Sequence, residues 1–98
     1  MVLMEFSITP LGEGESVSPY VTRCVKLVAA SGLDYELHAM GTIVEGELPE
    51  LLELLRRSFD EFASDCERIT CSAKFDYRAD AAGRIRSKVA SVEAKLGT

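Results

Sequence analysis

The chain has 98 residues, 47% of them hydrophobic and 28% charged, and 11 Lys and Arg against 16 Asp and Glu leave a formal net charge of -5. That length suits one domain, residues 1–98, with one core, and the composition excludes a disordered tail. The acidic balance, with no cluster of Lys and Arg, excludes the electrostatic footprint of a nucleic-acid binder and favours a neutral or cationic ligand.

In "VLMEFSIT", residues 2–9, Val2, Met4, Phe6 and Ile8 alternate with Leu3, Glu5, Ser7 and Thr9, the period of a strand with one buried face. Pro10 ends it, and "LGEGES" is a flexible loop. "SPYVTRCVKLVAAS" then predicts a helix capped by Ser18 with Pro19 at its first position, its apolar stripe made by Val21, Cys24, Val25 and Val28, and Gly32 stopping it.

"YELHAMGTIVEGE", residues 35–47, reads as a hairpin turning at Met40-Gly41, where glycine can take the positive φ of a tight turn. "ELPELLELLRRSFDEFASDC" predicts a second helix with Pro49 in its first turn and Leu51, Leu55, Phe59 and Phe62 as its buried stripe. "RITCSAKFDY" alternates as a fourth strand. Asp80 is the expected cap of a third helix, which carries Ile85, Val89, Val92 and Leu96 on one face and closes at Gly97.

The order is βαββαβ plus a terminal helix. The hairpin makes the second and third strands antiparallel, and right-handed crossovers complete a ferredoxin-like α+β sandwich with an antiparallel sheet ordered 4-1-3-2. Thr9, Ser18, Tyr20 and the Met40-Gly41-Thr42 turn then gather at one end of the sheet. Strand parity places Glu5, Ser7, Thr9, His38, Met40 and Glu45 on the face that the two crossover helices leave open, which is either left to water or, as Leu3, Met40 and Ile43 on it favour, covered by a partner sheet or the terminal helix.

Other chemistry is less well supported. Cys24, Cys66 and Cys71 form no even disulfide framework, no apolar run approaches the ~20 residues of a membrane span, and the N-terminal residues lack a basic, long-apolar export signal. The expectation is a cytoplasmic protein with reduced thiols. Cys66 and Cys71 lack metal-ligand spacing, so no metal is expected, and "GEGES" lacks the lysine of a phosphate loop. His38 with Glu45 is the one acid–base pair an enzyme could use, and no other feature demands catalysis.

"MEFSITPLGEGESVSPYV", "YELHAMGTIVEGE" and "DYRADAAGRIRSKVASVEAKL" together resemble the thiamine-binding protein family, the small YqgV-like relatives of the tandem-domain YkoF. The resemblance implies non-catalytic binding of thiamine or its hydroxymethylpyrimidine precursor in vitamin salvage, transport or sensing. It also implies a homodimer or homotetramer formed through the sheets. The ligand-binding positions it suggests are Ser7, Thr9, Ser18, Tyr20, His38, Met40, Gly41, Thr42 and Glu45, while Glu15 and Ser16 lie in its variable loop. The alternative is an oligomerising or regulatory interaction module that uses the same residues for packing and takes no small molecule.

Overall fold

The computed structural model describes residues 1–12 and 18–97, and of Ser18 the backbone alone. Among these residues the elements run β1 (Val2–Pro10), α1 (Ser18–Ala30), β2 (Asp34–His38), β3 (Gly41–Gly46), α2 (Leu48–Ala63), β4 (Ile69–Tyr77) and α3 (Arg84–Lys95). The strands form one antiparallel sheet in the order β2-β3-β1-β4, which is the expected 4-1-3-2 order seen from its other edge. This is the ferredoxin-like sandwich.

Alternation along β1 turns Val2, Met4, Phe6 and Ile8 towards the two crossover helices, where they meet Cys24 and Val28 of α1 and Leu51, Leu54 and Phe62 of α2. Burying each of the larger side chains contributes about 1.5–3 kcal/mol. Arg23 ties the helices together: its Nε lies 3.1 Å from Glu61 Oε1, its Nη1 3.0 Å from Asp65 Oδ2, and its guanidinium 5.2 Å from the Phe62 ring centre.

α2 buries a different stripe from the expected one. Leu51, Leu54, Ser58 and Phe62 face the core, Leu55 is half-buried, and Phe59 stays 39% exposed. A serine can occupy the centre of this stripe because its hydroxyl donates to the Leu54 carbonyl at 2.9 Å and brings no unsatisfied donor into the core. In the same way Cys24 and Val28 are buried while Val21 is exposed, since β2 has only five residues and leaves that flank of α1 uncovered.

α3 also starts differently. Asp80 adopts a left-handed conformation in the preceding turn, and the helix begins at Arg84 behind Gly83. Its cap comes from β3: Glu45 accepts hydrogen bonds from the Gly83 and Arg84 amides at 2.8 and 3.1 Å. α3 therefore docks at one end of the open sheet face, with Ile85 and Arg84 buried, while Val89, Val92 and Leu96 remain exposed.

The hairpin turns at Ala39-Met40, one residue before the expected position, and neither residue has a positive φ. Gly41 opens β3 instead. A Cβ there would lie 2.8 Å from the Phe6 carbonyl oxygen, so glycine is required by close approach and not by turn geometry.

Candidate functional site

A mismatch of strand lengths makes the site. β1 pairs with β4 as far as Pro10↔Ile69, but its ladder with the shorter β3 ends at Phe6↔Thr42. Beyond that rung the chain of β3 has already turned away through Met40 and Ala39 into β2. The space left between the end of β1, the hairpin and α1 is a cavity of about 280 Å³.

Six of the expected binding residues line it: Ser7 and Thr9 from β1, His38 from β2, Met40 from the turn, and Gly41 and Thr42 from β3. Their convergence follows from topology, because the end of β1 and the β2–β3 turn lie at the same end of the sheet. Thr42 pairs with Phe6 and so faces the helices, where it is buried. Ser7, Thr9 and His38 have the opposite parity and approach around the sheet end. The cavity thus lies mainly on the helix side, and the hydroxyls of the open face form its rim.

The other three candidates lie elsewhere. Tyr20 packs edge-on against Phe62, with ring centres 5.9 Å apart, and beneath the Arg23 guanidinium at 5.6 Å. Glu45 lies towards the far end of β3 with its carboxylate on the start of α3. Ser18 opens α1, but its side chain, like Glu15 and Ser16, is outside the described residues.

The cavity has walls that periodicity assigned to the core alone. Val21, Cys24 and Val25 of α1 form one wall, Phe6 and Ile8 the floor, and Leu37 of β2 the far side. The signal was present in the chain: a nine-residue first strand containing proline, set against a six-residue third strand, leaves part of one edge unpaired.

The Met40 N–H donates to His38 Nδ1 at 3.3 Å, which places the proton of the neutral imidazole on Nε2, 3.4 Å from Glu5 Oε2 but without hydrogen-bond alignment. Burial pushes the Cys24 thiol up, against the smaller opposing effect of its hydrogen bond with Ser58, so it stays protonated near neutrality. A second, shallower hollow of about 290 Å³ on the open face is lined by Glu5, Ser72 and Lys74 and shares Phe6, Ser7 and Met40 with the first. Among the described residues no group of three or more His, Cys, Asp or Glu is placed to hold a metal ion, and no helix is long and apolar enough to cross a membrane.

Comparison with known proteins agrees with this fold and extends it. A UPF0045 protein of Methanocaldococcus jannaschii is 36% identical over 91 residues, covering 93% of this chain and 91% of its own. The crystal structure of that protein superposes with a TM-score of 0.86 over 94% of this chain and 95% of the other. UPF0045 protein YqgV of Bacillus subtilis is 30% identical over 102 residues, covering 98% of each chain. A Thermotoga maritima structure described under thiamine biosynthesis/salvage shares the fold, with a TM-score of 0.82 at 22% identity over 93% of this chain and 97% of that one. The model of the family described as "Thiamine-binding protein" matches residues 4–93, and the chain belongs to that family.

Proposed function

We propose that this protein binds thiamine or its hydroxymethylpyrimidine precursor without converting it, and acts in vitamin salvage, transport or sensing. The observation that carries this reading is the convergence of Ser7, Thr9, His38 and Thr42 on a small cavity otherwise walled by apolar side chains, in a chain of the thiamine-binding family. The cavity's volume suits one substituted aromatic ring. An aminopyrimidine has a flat face for Leu37, Val21 and Met40, and an amine and ring nitrogens for the hydroxyls. The cationic thiazolium of the whole vitamin extends towards Glu5 on the open face, where an acidic protein attracts it.

Binding without turnover is supported by the chemistry of the lining. The Nδ1 lone pair of His38 is already engaged by the Met40 amide, and Cys24 is held as a thiol, so neither offers a free base or nucleophile to a ligand in the cavity. A ligand of this size at about 0.3 kcal/mol or more per heavy atom binds in roughly the micromolar range, which suits a carrier or sensor. Isothermal titration with thiamine and with hydroxymethylpyrimidine tests the reading, and no heat from either at high protein concentration overturns it.

Assembly into dimers or tetramers through the sheet belongs to the same proposal. It is supported by half-buried Leu3 and Ile43 on the open face and by the bare apolar stripe of α3. That stripe is also what favours the second reading, an interaction module without a small-molecule ligand: Val89, Val92 and Leu96 are 54%, 57% and 72% exposed. Under that reading, polar substitutions in the stripe disrupt the assembly and neither compound binds.

A further inference from the structure

The backbone of a strand alternates the direction of its hydrogen-bonding groups as it alternates its side chains. At the last rung of the β1–β3 ladder the Phe6 carbonyl points towards β3, since a Cβ on the adjoining Gly41 would meet that oxygen at 2.8 Å. The odd-numbered residues point the other way: Ser7 and Thr9 pair with Ser72 and Thr70 of β4, and the Leu11 N–H continues the series to the Arg68 carbonyl at 2.9 Å. Two residues beyond Phe6, the N–H and C=O of Ile8 therefore point to the side where β3 should be. No strand is there. Among the described residues this pair has no backbone partner, and Ile8 lines the cavity.

Pro10 supports the assignment. It is next in phase with Ile8, and a residue without an N–H is tolerated inside a strand when its nitrogen faces an unpaired edge. An unpaired edge commonly recruits another strand. Here it offers one N–H and the carbonyls of Ile8 and Pro10 beside the walls formed by Val21 and Val25. That opening admits a ring, not a strand.

We propose that the main chain of Ile8 reads the amine-bearing edge of an aminopyrimidine: its N–H donates to a ring nitrogen, and its C=O accepts from the exocyclic amine on the neighbouring carbon. A donor and an acceptor held side by side by a β-strand match an acceptor and a donor held side by side by the ring. The hydroxyls of Ser7, Thr9 and Thr42 then serve the ring's remaining substituents. Selectivity for the amine resides in the backbone, which no side-chain substitution removes. This inference rests on the proposed binding of thiamine-type ligands and adds to it which atoms discriminate.

Amide exchange and ¹⁵N spectra of the intact protein test it, alongside titration with thiamine, hydroxymethylpyrimidine and the 4-oxo analogue of thiamine, whose ring edge presents the inverted donor–acceptor pattern. In the free protein the Ile8 amide exchanges faster than those of Met4 and Phe6. Saturating thiamine shifts the Ile8 amide and slows its exchange, and the 4-oxo analogue binds at least about tenfold more weakly. Slow exchange at Ile8 in the free protein overturns the inference, because the edge is then already paired. Thiamine binding that leaves the Ile8 amide unmoved, or equal affinity for the 4-oxo analogue, overturns it while leaving the proposed function standing. Failure of both aminopyrimidines to bind removes the two together.

Discussion

Gly41 and Phe6 stand so close across the β1–β3 ladder that the only side chain compatible with the pairing at position 41 is a hydrogen: any Cβ would lie 2.8 Å from the Phe6 carbonyl oxygen. The clash is with backbone, which cannot rotate aside. Gly41→Ala is therefore expected to push the hairpin away from β1, lowering stability by about 1–3 kcal/mol and widening the cavity. Urea unfolding and ligand titration measured together check this. Full stability would show that β3 has room to shift.

Glu45 is expected to act on stability more than on ligand affinity. Its carboxylate is buried against the first amides of α3, where a negative charge favourably meets the helix dipole. Glu45→Gln keeps the shape, removes the charge and should cost about 1–2 kcal/mol while changing thiamine affinity little. A loss of affinity at unchanged stability would assign Glu45 to the ligand instead.

Acid should weaken the fold through carboxylates held by arginine and lysine. Arg56 and Arg57 hold the Glu53 carboxyl down from 4.5 to about 2, and Lys88 with Arg84 lowers Asp76. A depressed folded-state pKa gives stability that is complete above the unfolded value and lost as pH falls through the folded one, so Glu53 acts between about pH 4.5 and about pH 2. Urea midpoints should fall across that window. Glu53→Gln should flatten this limb slightly, and molar salt should reduce the difference because the group is exposed to solvent. An unchanged limb would mean that these pairs have no influence on stability.

Most of the fold was legible because strand and helix periods are local. Val2, Met4, Phe6 and Ile8 announce β1 by alternation, Gly32 ends α1, and a hairpin between two helices leaves few sheet orders open. What was not legible depends on partners distant in sequence. Ser58 replaces Phe59 at the centre of the α2 face because a hydroxyl can satisfy itself on Leu54, which hydrophobicity alone does not reveal. The cap of α3 comes from Glu45, 38 residues upstream of Gly83. For the site, chain topology set Thr9 beside the Met40-Gly41-Thr42 turn as expected and brought Ser7 and His38 in from the open face, whereas Tyr20, expected with them, packs on Phe62, and the cavity opens mainly on the helix side. Its position depends on where β3 stops pairing, and the backbone edge at Ile8 has no side-chain signature at all.

Charge and hydroxyl should separate in their effects on the two ligands. Glu5 lies outside the cavity in the neighbouring hollow of the open face, its side chain 54% exposed and its carboxylate 3.4 Å from His38 Nε2, whereas Thr42 is buried in the cavity wall. If the pyrimidine occupies the cavity and the thiazolium lies outside it, Glu5→Gln should weaken thiamine by about 2- to 5-fold, the modest scale of an exposed charge pair, and leave uncharged hydroxymethylpyrimidine nearly unaffected. Thr42→Ala should weaken both by about 3- to 10-fold, the value of one hydrogen bond, without changing the oligomer seen by light scattering. Equal losses for both ligands in Glu5→Gln would place the cationic ring elsewhere, and an altered oligomer in Thr42→Ala would favour the interaction module.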